Sequence, residues 1–126
     1  MVPALSDGDR LLVSRLAYHL AAPAHGDIVL LRDPSRPGSE CIKRILALPG
    51  ELVRLDGLVA SVTVAGAGGT EGADATWQLG AQDYFVVGDN FARSTDSRSY
   101  GPIDRSAIIG RACYRYGSTL GRTRPL

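Results

Sequence analysis

At 126 residues, the chain is long enough for one domain with a buried core and too short for two. Hydrophobic residues at 44% and charged residues at 21% exclude wholesale disorder, and a net charge of +1 argues against a nucleic-acid binder working through bulk positive charge. The longest run from the hydrophobic set is four residues, as from Ile28 to Leu31 or from Tyr84 to Val87. A membrane span needs about 20, and no basic stretch followed by an apolar one marks a secretory leader.

In chain order, a turn-forming cluster at Asp7, Gly8 and Asp9 leads into a strand over Arg10–Ser14. Ser14–Ala22 is the one helical candidate, broken at Pro23. A second strand, Asp27–Leu31, stops at Asp33-Pro34, and a polar loop carries the chain to Glu40–Leu48, closed by Pro49-Gly50. Glu51–Leu55 alternates and meets Asp56-Gly57, a hairpin turn into Leu58–Val64. Residues 65–77 are mostly Gly, Ala and Thr with little to bury, and are expected as a flexible excursion. Asp83–Val87 is another strand, running into Gly88-Asp89-Asn90. Ile108–Tyr116 is a final strand or short helix, and residues 117–126 form a tail. Short strands at close spacing with glycine-rich turns predict an all-β domain of antiparallel strands with little helix, spanning residues 1–126.

Thirteen of the fourteen basic residues are arginine, and the one lysine is Lys43. Arginine keeps its proton in proteins, so an amine base in this chain is Lys43 or the N-terminus. Alternation along the strand puts Cys41, Lys43 and Ile45 on one face and Ile42, Arg44 and Leu46 on the other. A lysine so flanked either reaches solvent with its stem or sits desolvated as a neutral amine able to take a proton from a hydroxyl.

The second polar cluster runs from Gly88 to Arg98 and on to Pro102. Asp96 and Arg98 are close enough to pair, and Ser94 is able to bond a nearby amine or carboxylate. The alternative is a solvated loop with incidental ion pairs. No metal or nucleotide cofactor is expected. His19 and His25 lack the cysteine or carboxylate spacing of a zinc site, and Gly66–Gly69 lacks the lysine and helix of a phosphate loop. Cys41 and Cys113 are expected as separate thiols. From Arg105 onward the chain holds five arginines and no acid, a solvated face or one that sits against anionic lipid.

The ordered set Met1-Val-Pro-Ala-Leu5, Gly8-Asp9, Gly26-Asp27-Ile-Val29, Ile42-Lys-Arg44, Leu48-Pro-Gly-Glu51, Gly88-Asp-Asn90 and Ser94-Thr-Asp-Ser-Arg98 closely resembles bacterial type I signal peptidases, a family of Ser/Lys serine proteases. The resemblance implies a signal-peptidase-like fold, with Lys43 as general base and Ser94 as the serine that orients it. It implies that Arg44, Asp96 and Arg98 form a structural charge network. Met1, Leu5, Cys41 and Ile42 would line shallow pockets for the small residues of an Ala-x-Ala cleavage site. The family's first motif reads Ser-Met-x-Pro-Thr-Leu, so the nucleophilic serine is expected immediately before Met1, with a membrane anchor before it. Ala4 replaces the motif's threonine, and Cys41 an aromatic that usually precedes the lysine pair.

The implied activity is removal of signal peptides from exported preproteins. The site would lie at the outer face of the cytoplasmic membrane, against the membrane surface, with no nucleic-acid partner. Two other readings are a precursor-specific maturation protease of the same family and a peptide-binding module without catalysis. Self-cleaving repressor proteases share the chemistry but carry a DNA-binding region for which this sequence has no counterpart.

Overall fold

A computed structural model describes residues 9–15, 17–63, 72–89, 94–117 and 123–125. The hydrophobic runs of the sequence become strands wherever turn residues bracket them. The first, β1 (Asp9–Ser14), gives way to a single helical turn, α1 (Ala17–Leu20). The helix expected over Ser14–Ala22 is therefore much shorter: Ser14 closes the strand, and its hydroxyl accepts the Ala17 N–H at 3.1 Å. A side-chain acceptor at that place satisfies one of the backbone donors a helix start leaves open.

Next come β2 (Ile28–Arg32) and β3 (Glu40–Ala47), paired antiparallel so that Val29 faces Lys43 and Leu31 faces Cys41. A hairpin of β4 (Leu52–Asp56) and β5 (Val59–Thr63) follows, then β6 (Ala75–Gln78) and β7 (Asp83–Val87). The chain closes with α2 (Ser97–Tyr100), β8 (Ile103–Asp104), a 3-10 turn at Arg105–Ala107, β9 (Ile108–Gly117) and β10 (Thr123–Pro125). Ile108–Tyr116 is thus strand, not helix.

The main sheet has the order β1-β9-β2-β3-β7-β8, with β10 on β9, and a second sheet has the order β5-β4-β6. One expectation is revised here. Residues 75–77 lie in a strand: Val53 pairs with Trp77 in the β4–β6 ladder, and the indole packs on Phe85 with ring centroids 5.0 Å apart. Residues 65–71 of that excursion lie outside the described residues. Within the tail, Thr123–Pro125 pairs with Tyr114–Tyr116.

Two apolar clusters follow from the two sheets. Val29, Leu31, Ile45, Tyr84, Val86, Ile103 and Ile108 fill one side of the main sheet. Ala47, Val53, Ala60, Leu79, Phe85 and Val87 fill the space between the sheets. Phe85 and Leu31 are fully buried, each stabilising the fold by roughly 1.5–3 kcal/mol relative to an exposed side chain. The catalytic candidates sit where β3 and β7 run side by side, at the margin of the first cluster.

Candidate active site

Strand β3 aims Lys43 toward the first apolar cluster, on the face shared with Ile45 and, across the ladder, with Val29. Arg44 consequently points to the opposite face. The Lys43 stem is half-buried against this apolar wall, and its amine donates to Ser94 Oγ at 3.0 Å. These two residues, 51 positions apart, are the pair expected as base and orienting serine, and the fold brings them into contact.

Residues 94–98 are held by an unusual use of side chains along the outer edge of β7. Strand β8 covers only Asp83 and Tyr84 on that edge. Farther along, the Val86 N–H donates to Ser97 Oγ at 2.9 Å and the Gly88 N–H donates to Asp96 Oδ2 at 3.0 Å. Two buried side chains thus stand in for a neighbouring strand and satisfy donors that would otherwise be orphaned. Asp96 also caps α2 by accepting the Arg98 N–H at 3.0 Å.

Asp96 and Arg98 form the network predicted for them. Arg98 Nε and Nη2 donate to the two carboxylate oxygens at 2.9 and 2.7 Å. Burial alone would raise the Asp96 carboxyl, but the Arg98 guanidinium and the Gly88 and Arg98 amides hold it below the usual carboxylate range. Arg44 does not join them. It clamps Asp89 from the other face of the sheet, with Nε to Oδ1 at 2.9 Å and Nη2 to Oδ2 at 3.0 Å, and ties in the Gly26 carbonyl at 2.9 Å. The single network expected from Arg44, Asp96 and Arg98 is therefore two separate clamps, because alternation sends Lys43 and Arg44 to opposite sides.

Among the expected pocket residues, Cys41 shares the Lys43 face and Ile42 lies on the opposite face, both half-buried. Met1 and Leu5 lie outside the described residues. Cys41 is a free thiol; the Cys113 side chain also lies outside them. Burial pushes the Cys41 thiol up, Asp33 adds to this, and Lys43 opposes it. A thiol held protonated in this way makes a poor nucleophile. Beside it, burial raises the Tyr100 phenol far above its ordinary range, with Cys41, Asp96 and Asp33 contributing.

Three contributors escaped the sequence reading. Asp89 lay inside a quoted motif, but its partner was not deducible. Ser97 is fully buried as a backbone acceptor. Gly88 is the sharpest: a Cβ added there would meet Ser94 Oγ at 2.0 Å and lie 3.6 Å from Lys43 Nζ. Only a glycine lets β7 approach the pair this closely.

The described site is thus a half-buried amine bonded to a serine hydroxyl beside an apolar wall, on a β-rich scaffold; among the described residues no group of three or more His, Cys, Asp and Glu could hold a metal ion. The sequence model described as signal peptidase, peptidase S26, matches residues 1–117, and the chain belongs to that family. It is 34% identical over 132 residues to a signal peptidase I of Leptolyngbya laminosa, covering 92% of this chain and 64% of the relative. It is 31% identical over 118 residues to mitochondrial inner membrane protease subunit 1 of Xenopus tropicalis, covering 91% and 62%. The chain therefore spans a little under two thirds of the length of these curated relatives. A crystal structure of a signal peptidase I from Enterococcus faecalis superposes with a TM-score of 0.54 at 24% identity, covering 71% of this chain and 95% of that one. That likeness establishes the signal-peptidase-like, mostly antiparallel β fold. No helix among the described residues is long and apolar enough to cross a membrane.

Proposed function

We propose that this chain is the catalytic domain of a membrane-associated serine endopeptidase that removes signal peptides from exported preproteins. The observation that carries the reading is the 3.0 Å bond from the Lys43 amine to Ser94 Oγ at the edge of an apolar core. In this reading Lys43, as a neutral amine, takes the proton of a serine expected immediately before Met1. The serine oxygen attacks the carbonyl of the last residue of an Ala-x-Ala sequence, giving a tetrahedral oxyanion. Lys43 returns the proton to the leaving amine as the acyl-enzyme forms. Water deprotonated by Lys43 then cleaves the ester. Ser94 orients the amine, and Met1, Leu5, Cys41 and Ile42 line the shallow substrate pockets. The preprotein and the outer face of the cytoplasmic membrane are the partners.

The test is cleavage of a preprotein by the full-length protein in detergent or vesicles. Lys43→Arg should abolish turnover with the fold intact, because a guanidinium holds its proton. Turnover retained in that variant would overturn the assignment. A second reading, a protease dedicated to one or a few precursors, is favoured by the match to a mitochondrial inner membrane protease subunit. A panel of unrelated preproteins separates the two, since the dedicated enzyme leaves most of them whole. Tight substrate binding without turnover in the wild-type full-length protein would instead support a non-catalytic peptide-binding module.

A further inference from the structure

We propose that the second sheet is a strut for the Lys43–Ser94 pair: the β4–β5 turn holds Arg98 in place, and Asp74, by holding that turn, is a positioning residue. The consequence for turnover rests on the proposed function, whereas the mechanical link does not. The link is a chain of short contacts. Arg98 spends Nε and Nη2 on Asp96, and its Nη1 donates to the Leu58 carbonyl at 2.6 Å, a residue 40 positions earlier at the turn of the second sheet. Arg98 and Asp96 side chains are 7% and 0% exposed, so the guanidinium leans on protein acceptors rather than on water.

From Asp96 the chain continues into the site. Asp96 Oδ2 accepts the Gly88 N–H, and Gly88 is the residue whose backbone already touches Ser94 too closely for a Cβ. Ser94 in turn accepts from Lys43. A displacement of the carboxylate is therefore transmitted to the hydroxyl that orients the amine.

The far end of the strut is built with equal care. Gly57 takes φ of +61° at the turn, a conformation that glycine adopts without strain. Its N–H donates to Asp74 Oδ2 at 2.7 Å, and the Asp74 N–H donates to the Leu55 carbonyl at 2.9 Å. Asp74 thus closes the turn from the start of the next crossing, one residue before β6. The sheet itself is fixed to the main body by Trp77 against Phe85 and by buried Val53 and Leu79. The turn carbonyl is held at one end by this anchored sheet and at the other by Arg98.

The one lysine of the sequence makes the test direct, because lysine-selective 13C or 15N labelling gives a single side-chain signal from Lys43. Asp74→Ala should move that signal and lower hydrogen-exchange protection of the Gly88 amide about tenfold. Asp74→Asn, whose side-chain oxygen still accepts from Gly57, should restore both. Val62→Thr, an exposed change elsewhere on the same sheet, should move neither. In the full-length enzyme Asp74→Ala should lower kcat about tenfold with KM unchanged. Should Asp74→Ala fail to fold, two glycines inserted after Gly57 displace the carbonyl instead and should move the Lys43 signal likewise. Folded variants with an unmoved Lys43 signal and unchanged Gly88 protection would overturn the strut, whatever the enzyme cleaves. Cleavage retained in Lys43→Arg would overturn the catalytic reading and leave the strut standing.

Discussion

The two arginine–carboxylate clamps near the end of β7 have the same bidentate chemistry and different surroundings. In the Arg98–Asp96 clamp the side chains are 7% and 0% exposed, and in the Arg44–Asp89 clamp 34% and 14%. Water competes for the second and is shut out of the first. A buried pair earns little net stability, since desolvation offsets attraction, but losing one partner strands the other charge without solvent. The buried clamp is accordingly the one fastened to backbone on three sides, at Gly88, at the start of α2 and at Leu58. Among the described residues the exposed clamp fastens to one carbonyl, Gly26.

The largest expected effect breaks the buried clamp. Asp96→Ala should cost about 3–5 kcal/mol in denaturant unfolding, because Arg98 is left buried and the Gly88 amide loses its acceptor. A loss under about 1 kcal/mol would mean that water enters and that the contrast between the clamps is not one of burial. The same clamp gives a pH signature. Asp96 titrates below its ordinary 3.8 in the folded chain, so its contribution is fully present above that value and is lost as pH falls through the lower folded value. The wild-type unfolding midpoint should show this component as an acid slope below about pH 4 that is missing in Asp96→Asn.

Next in size is Gly88→Ala, which strikes the contact between the buried clamp and the Lys43–Ser94 pair. The new methyl would sit 2.0 Å from Ser94 Oγ, so the serine must move and its bond to Lys43 must break. Overpacking of this kind costs about 1–3 kcal/mol, leaving a folded protein. In the full-length enzyme kcat should fall more than the stability loss would suggest. An unaltered kcat would show that the Lys43–Ser94 bond is dispensable.

How much of this was legible from residues alone follows a physical line. Strands β2, β3, β4, β5 and β7 could be read because apolar alternation and turn residues are local signals. So could the face shared by Cys41, Lys43 and Ile45, which needs only the two-residue period. The contact of Lys43 with Ser94 came from the family resemblance, since no spacing rule joins positions 51 apart. Strand β6 was missed because four residues in a small-residue stretch carry almost no pattern; Trp77 was the available hint, an aromatic that needs a partner. The division of the arginines between clamps was misread even though the alternation that separates Lys43 from Arg44 was already in hand. The Leu58 carbonyl and the Gly88 approach are backbone placements, and side-chain sequence has nothing to say about them.

The smallest expected effect tests the exposed side of the comparison. Asp89→Asn keeps the shape of the clamp and removes its charge, with Arg44 still able to reach water and the Gly26 carbonyl. The cost should be about 1 kcal/mol or less, and should shrink further as salt screens the wild-type pair. A double-mutant cycle with Arg44→Gln isolates the coupling from each residue's other contacts. Position adds a second expectation. Arg44 follows Lys43 directly on β3, and Asp89 follows Gly88 directly after β7, so this clamp ties β3 to the end of β7 from the face opposite Lys43. Loss of the charge should leave stability nearly untouched and yet loosen the lateral fit of β3 and β7. The Lys43 side-chain signal should then broaden or shift slightly in Asp89→Asn, less than in Asp74→Ala. If it moves more, the exposed clamp is the stronger support of the site, and burial is the wrong measure of which clamp matters.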